Sequence, residues 1–208
     1  MLQIIPALLV AITVVIQCLA VQMSRYRLSR MNARPPHHGL ALMSGMLAAA
    51  AIILRLYQND SAVGVLFMTI MTGCMTLMTL TDAASCRLPR PFTIMYLISG
   101  SAFRLWQGDW LTGLCSAGFW FLLLLLFRQY TSYRRKTETI GLGDVFLIAG
   151  IAIWSPPGDI PWIVATAAGG ALLYLWCNRQ RHITRELPFG PFLCASQYAF
   201  TFYPGGLW

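Results

Sequence analysis

Residues 62–81 read AVGVLFMTIMTGCMTLMTLT, and residues 82–91 continue as DAASCRLPRP. The first string is uncharged over 20 residues, the length of a helix that crosses a hydrocarbon layer of about 30 Å. The second opens on Asp82 and closes on Pro89 and Pro91. Each proline fixes its own φ and cannot continue a helix by donating an N–H, so the next segment has a defined start. An apolar run that stops at a carboxylate is unusual. Charge at membrane depth is costly, and a carboxylate placed there has a partner or a function.

The rest of the chain has the same character. Hydrophobic residues make up 57% of 208 and charged residues 11%, and the mean hydropathy is +0.62. A soluble domain carries about 25% charged residues, so the composition predicts a membrane protein. Eight apolar segments are discernible, at roughly 2–23, 40–57, 62–81, 92–106, 110–127, 141–154, 160–177 and 190–205. The predicted fold is all-α and polytopic, with about eight transmembrane helices in one membrane-embedded domain over residues 1–208. The first segment lacks a basic start and is followed by arginines, which predicts a retained helix and not a cleaved signal.

Charge placement gives a topology. The loops at 24–39, 82–91, 128–140 and 178–189 carry 4, 2, 4 and 3 Lys or Arg, which is 13 of the 15 in the chain. The alternate loops are short and each holds one aspartate: Asp60, Asp109 or Asp159. The positive-inside rule then puts the four basic loops in the cytoplasm. The same loops account for the net charge of +8, and no groove-sized basic stripe suggests nucleic acid. Arg25, Arg27, Arg30 and Arg34 are placed to meet lipid headgroups.

Other residue classes read as structural. There is no C-x-x-C, and five of the six cysteines lie in or beside apolar runs; Cys86 is in the polar loop after Asp82. His37, His38 and His182 sit in basic loops and predict no metal site. No cofactor is expected. Trp106, Trp110, Trp154 and Trp162 fall at the predicted outer boundary and read as interfacial anchors. The Met, Thr and Gly residues of 68–78 read as helix packing, as do the glycines of 113–118 and 169–170.

A second carboxylate, Asp144, opens the sixth segment within Gly141-Leu142-Gly143-Asp144. The topology puts it on the same face as Asp82. Gly141 and Gly143 carry no side chain, so an extended substrate strand could approach the backbone there. Two carboxylates at one membrane edge can hydrolyse a peptide, one activating water and the other donating a proton to the carbonyl. They can also be read as loop-edge charges paired with nearby arginines, as an ion relay in a transporter, or as an inactive assembly scaffold.

Three motifs of the chain resemble those of the type IV prepilin peptidases, membrane aspartyl proteases of the GxGD type. They are Asp82 followed by Arg87-Leu88-Pro89, the Gly141–Asp144 tetrapeptide, and Leu187-Pro188-Phe189-Gly190-Pro191-Phe192-Leu193. The resemblance covers about residues 60–195. It implies that Asp82 and Asp144 are catalytic, and that Gly141, Gly143, Pro188, Phe189, Gly190 and Pro191 shape the substrate cleft. It also implies an enzyme of the bacterial inner membrane with its site facing the cytoplasm. Its partners would be prepilins or pseudopilins, cut after a glycine that ends a basic leader. Two features depart from the family pattern. Phe146 stands where a lysine is frequent, and the loop at 24–39 is short and lacks cysteine, so no separate methyltransferase or zinc-binding domain is expected. The helix dipole suggests a division of labour. Asp82, near a helix C-terminus, would be the protonated acid, and Asp144, near an N-terminus, the ionised group that orients water.

Overall fold

The computed structural model describes residues 4–30, 38–57, 61–86, 88–135, 141–177 and 187–202. Among these residues the secondary structure is entirely helical, in eight helices. They are α1 (Ile4–Arg30), α2 (His38–Tyr57), α3 (Ala62–Ser85), α4 (Arg90–Gln107), α5 (Trp110–Arg135), α6 (Leu142–Trp154), α7 (Ile160–Cys177) and α8 (Gly190–Phe202). Each apolar segment of the sequence became one helix. α1 and α5 overrun their apolar runs because arginine is a good helix former and its long stem keeps the charge in water.

Four stretches are long and apolar enough to cross a membrane: Leu8–Arg30, Ala62–Ser85, Trp110–Arg134 and Ile160–Cys177. The chain is a polytopic membrane protein. α6 and α8 have 13 residues each, about 20 Å of rise against a layer of about 30 Å.

α3 is the hub. It packs against α1, α2, α4 and α8, and 15 of its 24 residues are buried. Met68, Met71, Met75 and Met78 line its core face at helical spacing and meet Tyr96, Phe103, Ile151, Trp154 and Tyr198. Gly73 accepts Ile16 of α1 at close range, and Gly150 accepts the Tyr96 ring. Without a hydrophobic drive between helices in lipid, such close approaches supply the packing. Gly118 and Gly169, by contrast, have nothing within 4 Å of a would-be Cβ, so the expected close contact is absent at those two positions.

One residue differs from its sequence reading. Trp154 is fully buried, not interfacial. Its Nε1 donates to the Tyr96 carbonyl at 3.1 Å, and its ring stacks on Phe103 at 5.3 Å. Trp106, Trp110 and Trp162 are exposed, as anchors would be. Arg104, at the edge of an apolar run, is only 7% exposed. Its Nε donates to the Ile153 carbonyl at 2.8 Å and one terminal nitrogen to the Ser155 carbonyl at 3.0 Å. The guanidinium thereby serves the carboxyl end of α6, where helical carbonyls lack partners.

Candidate active site

Asp82 belongs to the last turn of α3, not to the loop after it. Its carbonyl accepts the Cys86 N–H at 2.7 Å, and Cys86 ends the helix in the left-handed region at φ 49°. The Asp82 side chain points inward and is 4% exposed. The chain then turns through Leu88 and Pro89 into α4, with Pro91 in its first turn. Arg87 lies outside the described residues, as do His37 and His182.

Asp144 is in the first turn of α6, whose N-cap is Gly141. Its N–H donates to the Gly141 carbonyl at 3.1 Å. Asp144 is half-buried and close enough to Asp82 for the charge of one to act on the other. No described group donates a hydrogen bond to its carboxylate.

The three motifs are joined by two close contacts. A Cβ on Gly143 would lie 2.8 Å from the Leu88 Cβ, so the leucine of the first motif rests directly on the glycine of the second. Real Cβ atoms do not approach so closely, and only glycine leaves the room. The Gly190 N–H donates to Asp82 Oδ2 at 2.8 Å, and a Cβ on Gly190 would lie 2.8 Å from that oxygen. The third motif therefore meets the first. The contact is set by an antiparallel seam between α3 and α8, in which the Cys194 thiol meets the Thr79 hydroxyl and the Tyr198 hydroxyl donates to the Thr72 carbonyl at 3.3 Å.

The sequence-derived substrate residues thus separate by environment. Gly141 is exposed beside the Asp144 carboxylate; Gly143 is covered by Leu88, and Gly190 is buried against Asp82. Pro188, Phe189 and Pro191 are half-buried around the start of α8. The sequence reading did not single out Leu88 as a packing partner, nor Gly190 as a donor to Asp82. Phe146 packs its ring 5.3 Å from Phe121. It is two residues past Asp144, about 200° around the helix, and so faces away from the aspartates. There it lines an apolar groove of about 600 Å³ between α4 and α5, together with Leu97, Leu105, Leu114 and Ile153; neither aspartate lies in it.

The sequence profile of the type IV leader peptidase family matches residues 69–176, a stretch that contains both aspartates. Two relatives, each a prepilin leader peptidase/N-methyltransferase, come from Burkholderia pseudomallei strains 1026b and K96243. Each is 33% identical over 175 residues, covering 79% of this chain and 53% of the relative. The chain thus spans about half the length of these curated relatives. No solved structure matches it. The profile match over more than half of the chain, reinforced by these relatives, means that the chain belongs to the type IV leader peptidase family.

Proposed function

We propose that the chain is a membrane aspartyl endopeptidase that removes the basic leader of type IV prepilins or pseudopilins. It cuts after the glycine that ends the leader, at the cytoplasmic face of the bacterial inner membrane. The observation that carries this reading is that Asp82, in the last turn of α3, and Asp144, in the first turn of α6, lie near enough for their charges to interact. Leu88 against Gly143 and Gly190 against Asp82 support it, because they hold the pair from three separate parts of the chain.

One carboxylate takes a proton from water as the oxygen attacks the scissile carbonyl, and the other protonates the carbonyl oxygen. Gly141, exposed beside Asp144, offers a backbone edge for the substrate strand. The basic loops and the arginines at the end of α1 support a cytoplasmic site facing anionic headgroups. The substrate is cut as it leaves the membrane plane, where the leader is wet and the following helix is in lipid. Residues 1–208 act as one membrane-embedded unit, and methyl transfer is not among the activities proposed.

The test is cleavage of a purified prepilin by the chain in liposomes. Wild type is expected to release the leader with one new N-terminus. Asp82→Asn and Asp144→Asn should each slow cleavage at least about 100-fold, the scale of a lost acid or base, with membrane insertion unchanged. Retained cleavage in either variant refutes the reading.

A further inference from the structure

The start of α8 has its own chemistry. The Phe189 carbonyl accepts the N–H groups of Phe192 and Leu193, at 3.1 and 3.2 Å. The Gly190 N–H is therefore one of the N-terminal donors that a helix leaves unpaired. Pro191, next in line, has no N–H to offer. Gly190 is buried, and its N–H is directed at Asp82 Oδ2 from 108 residues further along the chain. Asp82 thus caps α8 from the last turn of a different helix.

Two effects favour negative charge on that oxygen: the positive end of the α8 dipole and a short hydrogen bond from a backbone N–H. Two effects oppose it: burial, the larger, which bears on Asp144 as well, and the negative end of the α3 dipole. A direct hydrogen bond to a charged acceptor outweighs a helix-end dipole. Asp144 has only the first turn of its own helix to favour charge, with no donor among the described residues. The titratable groups that interact with Asp82 are Asp144 from α6 and the Cys194 thiol from α8, and no cation of the described residues acts on either carboxylate.

Resting on the hydrolytic reading above, we propose that Gly190 is a positioning residue that holds Asp82 as a carboxylate, so that Asp82 activates water and Asp144 is the proton donor. This reverses the division that the helix ends alone suggest. In the forward step Asp82 takes a proton from water, the water oxygen bonds to the carbonyl carbon, and Asp144 gives its proton to the carbonyl oxygen. In the second step the C–N bond breaks. The departing nitrogen takes the proton from Asp82, one hydroxyl of the diol returns a proton to Asp144, and both side chains regain their starting states. Gly190 matters through its N–H and through its missing Cβ, which would meet the oxygen that the N–H binds.

The experiment has two arms. The first is the pH profile of prepilin cleavage by Gly190→Ala in liposomes. The acid limb of kcat should move to higher pH with the alkaline limb in place, and kcat near neutrality should fall roughly tenfold at unchanged KM, within the range of a weakened base. A shifted alkaline limb with a fixed acid limb overturns the assignment. The second arm needs no activity. Infrared titration of the carboxyl stretch compares Asp82→Asn with Asp144→Asn, using the double variant as baseline. The carboxyl left in Asp144→Asn, which is Asp82, should lose its proton at lower pH than the one left in Asp82→Asn; the reverse order overturns the proposal. A wild-type chain that cleaves no prepilin refutes the hydrolytic reading instead, and the titration order still decides which of the two carboxyls holds its charge.

Discussion

Asp82 and Asp144 are the same residue at opposite kinds of helix end, and their surroundings differ more than their positions in the sequence suggest. Asp82 closes α3, is almost fully buried, and is held by a donor from α8. Asp144 opens α6, is half-exposed, and has no described donor. One carboxylate is fixed by a long-range contact and the other by its own helix turn. A pair built this way has a rigid member and an adaptable one, and only the second is open beside an exposed glycine.

The largest break of that comparison should come from lengthening each side chain. Asp82→Glu must fit an extra methylene against Gly190, and a displacement of about 1 Å can cost on the order of 100-fold in rate. Asp144→Glu has room on its exposed side and should lose less, about tenfold. Single-turnover cleavage rates in liposomes decide it, and equal losses would mean that the two sites are equally rigid. A smaller effect is expected at the Leu88–Gly143 contact. Gly143→Ala should slow cleavage about tenfold, and adding Leu88→Gly should restore part of the rate, because the clash involves the leucine Cβ itself. A coupling of about 0.5–3 kcal/mol in the double-mutant cycle is the signature of such direct contact; strict additivity would argue against it. The smallest effect belongs to Phe146→Leu. That side chain faces Phe121 and the apolar groove, so kcat should stay within about threefold of wild type, the range of a volume-conserving apolar swap away from the chemistry.

Much of the fold was legible because each helix is an apolar run ended by charge, Pro or Gly. The Asp82 turn shows how: a carboxylate, a left-handed Cys86, then Pro89 and Pro91 as the next helix begins. The two aspartates stood out in the sequence as costly charges on one predicted face. What the sequence withheld is long-range. Trp154 has the same hydropathy whether it anchors at an interface or stacks in the core, and only the neighbouring Phe103 and Tyr96 decide. That Arg104 serves the carbonyls at the end of α6 is likewise set by a contact between helices. Gly143 was legible as a glycine that a substrate strand could approach, and Gly190 only through the resemblance, as part of the cleft. That Leu88 and Asp82 approach them depends on pairings between helices, which no local pattern encodes. The orientation of Phe146 could have been found from the 100° step of a helix alone.

Asp82 and Asp144 are proposed to act as one catalytic unit. The direct measurement is the residual single-turnover rate of prepilin cleavage for Asp82→Asn, Asp144→Asn and the double variant, in the same liposomes. Residues that act together lose their contribution once, not twice. The double variant should be no slower than the slower single variant. Losses that multiply, or a single variant that cleaves at the wild-type rate, would contradict it.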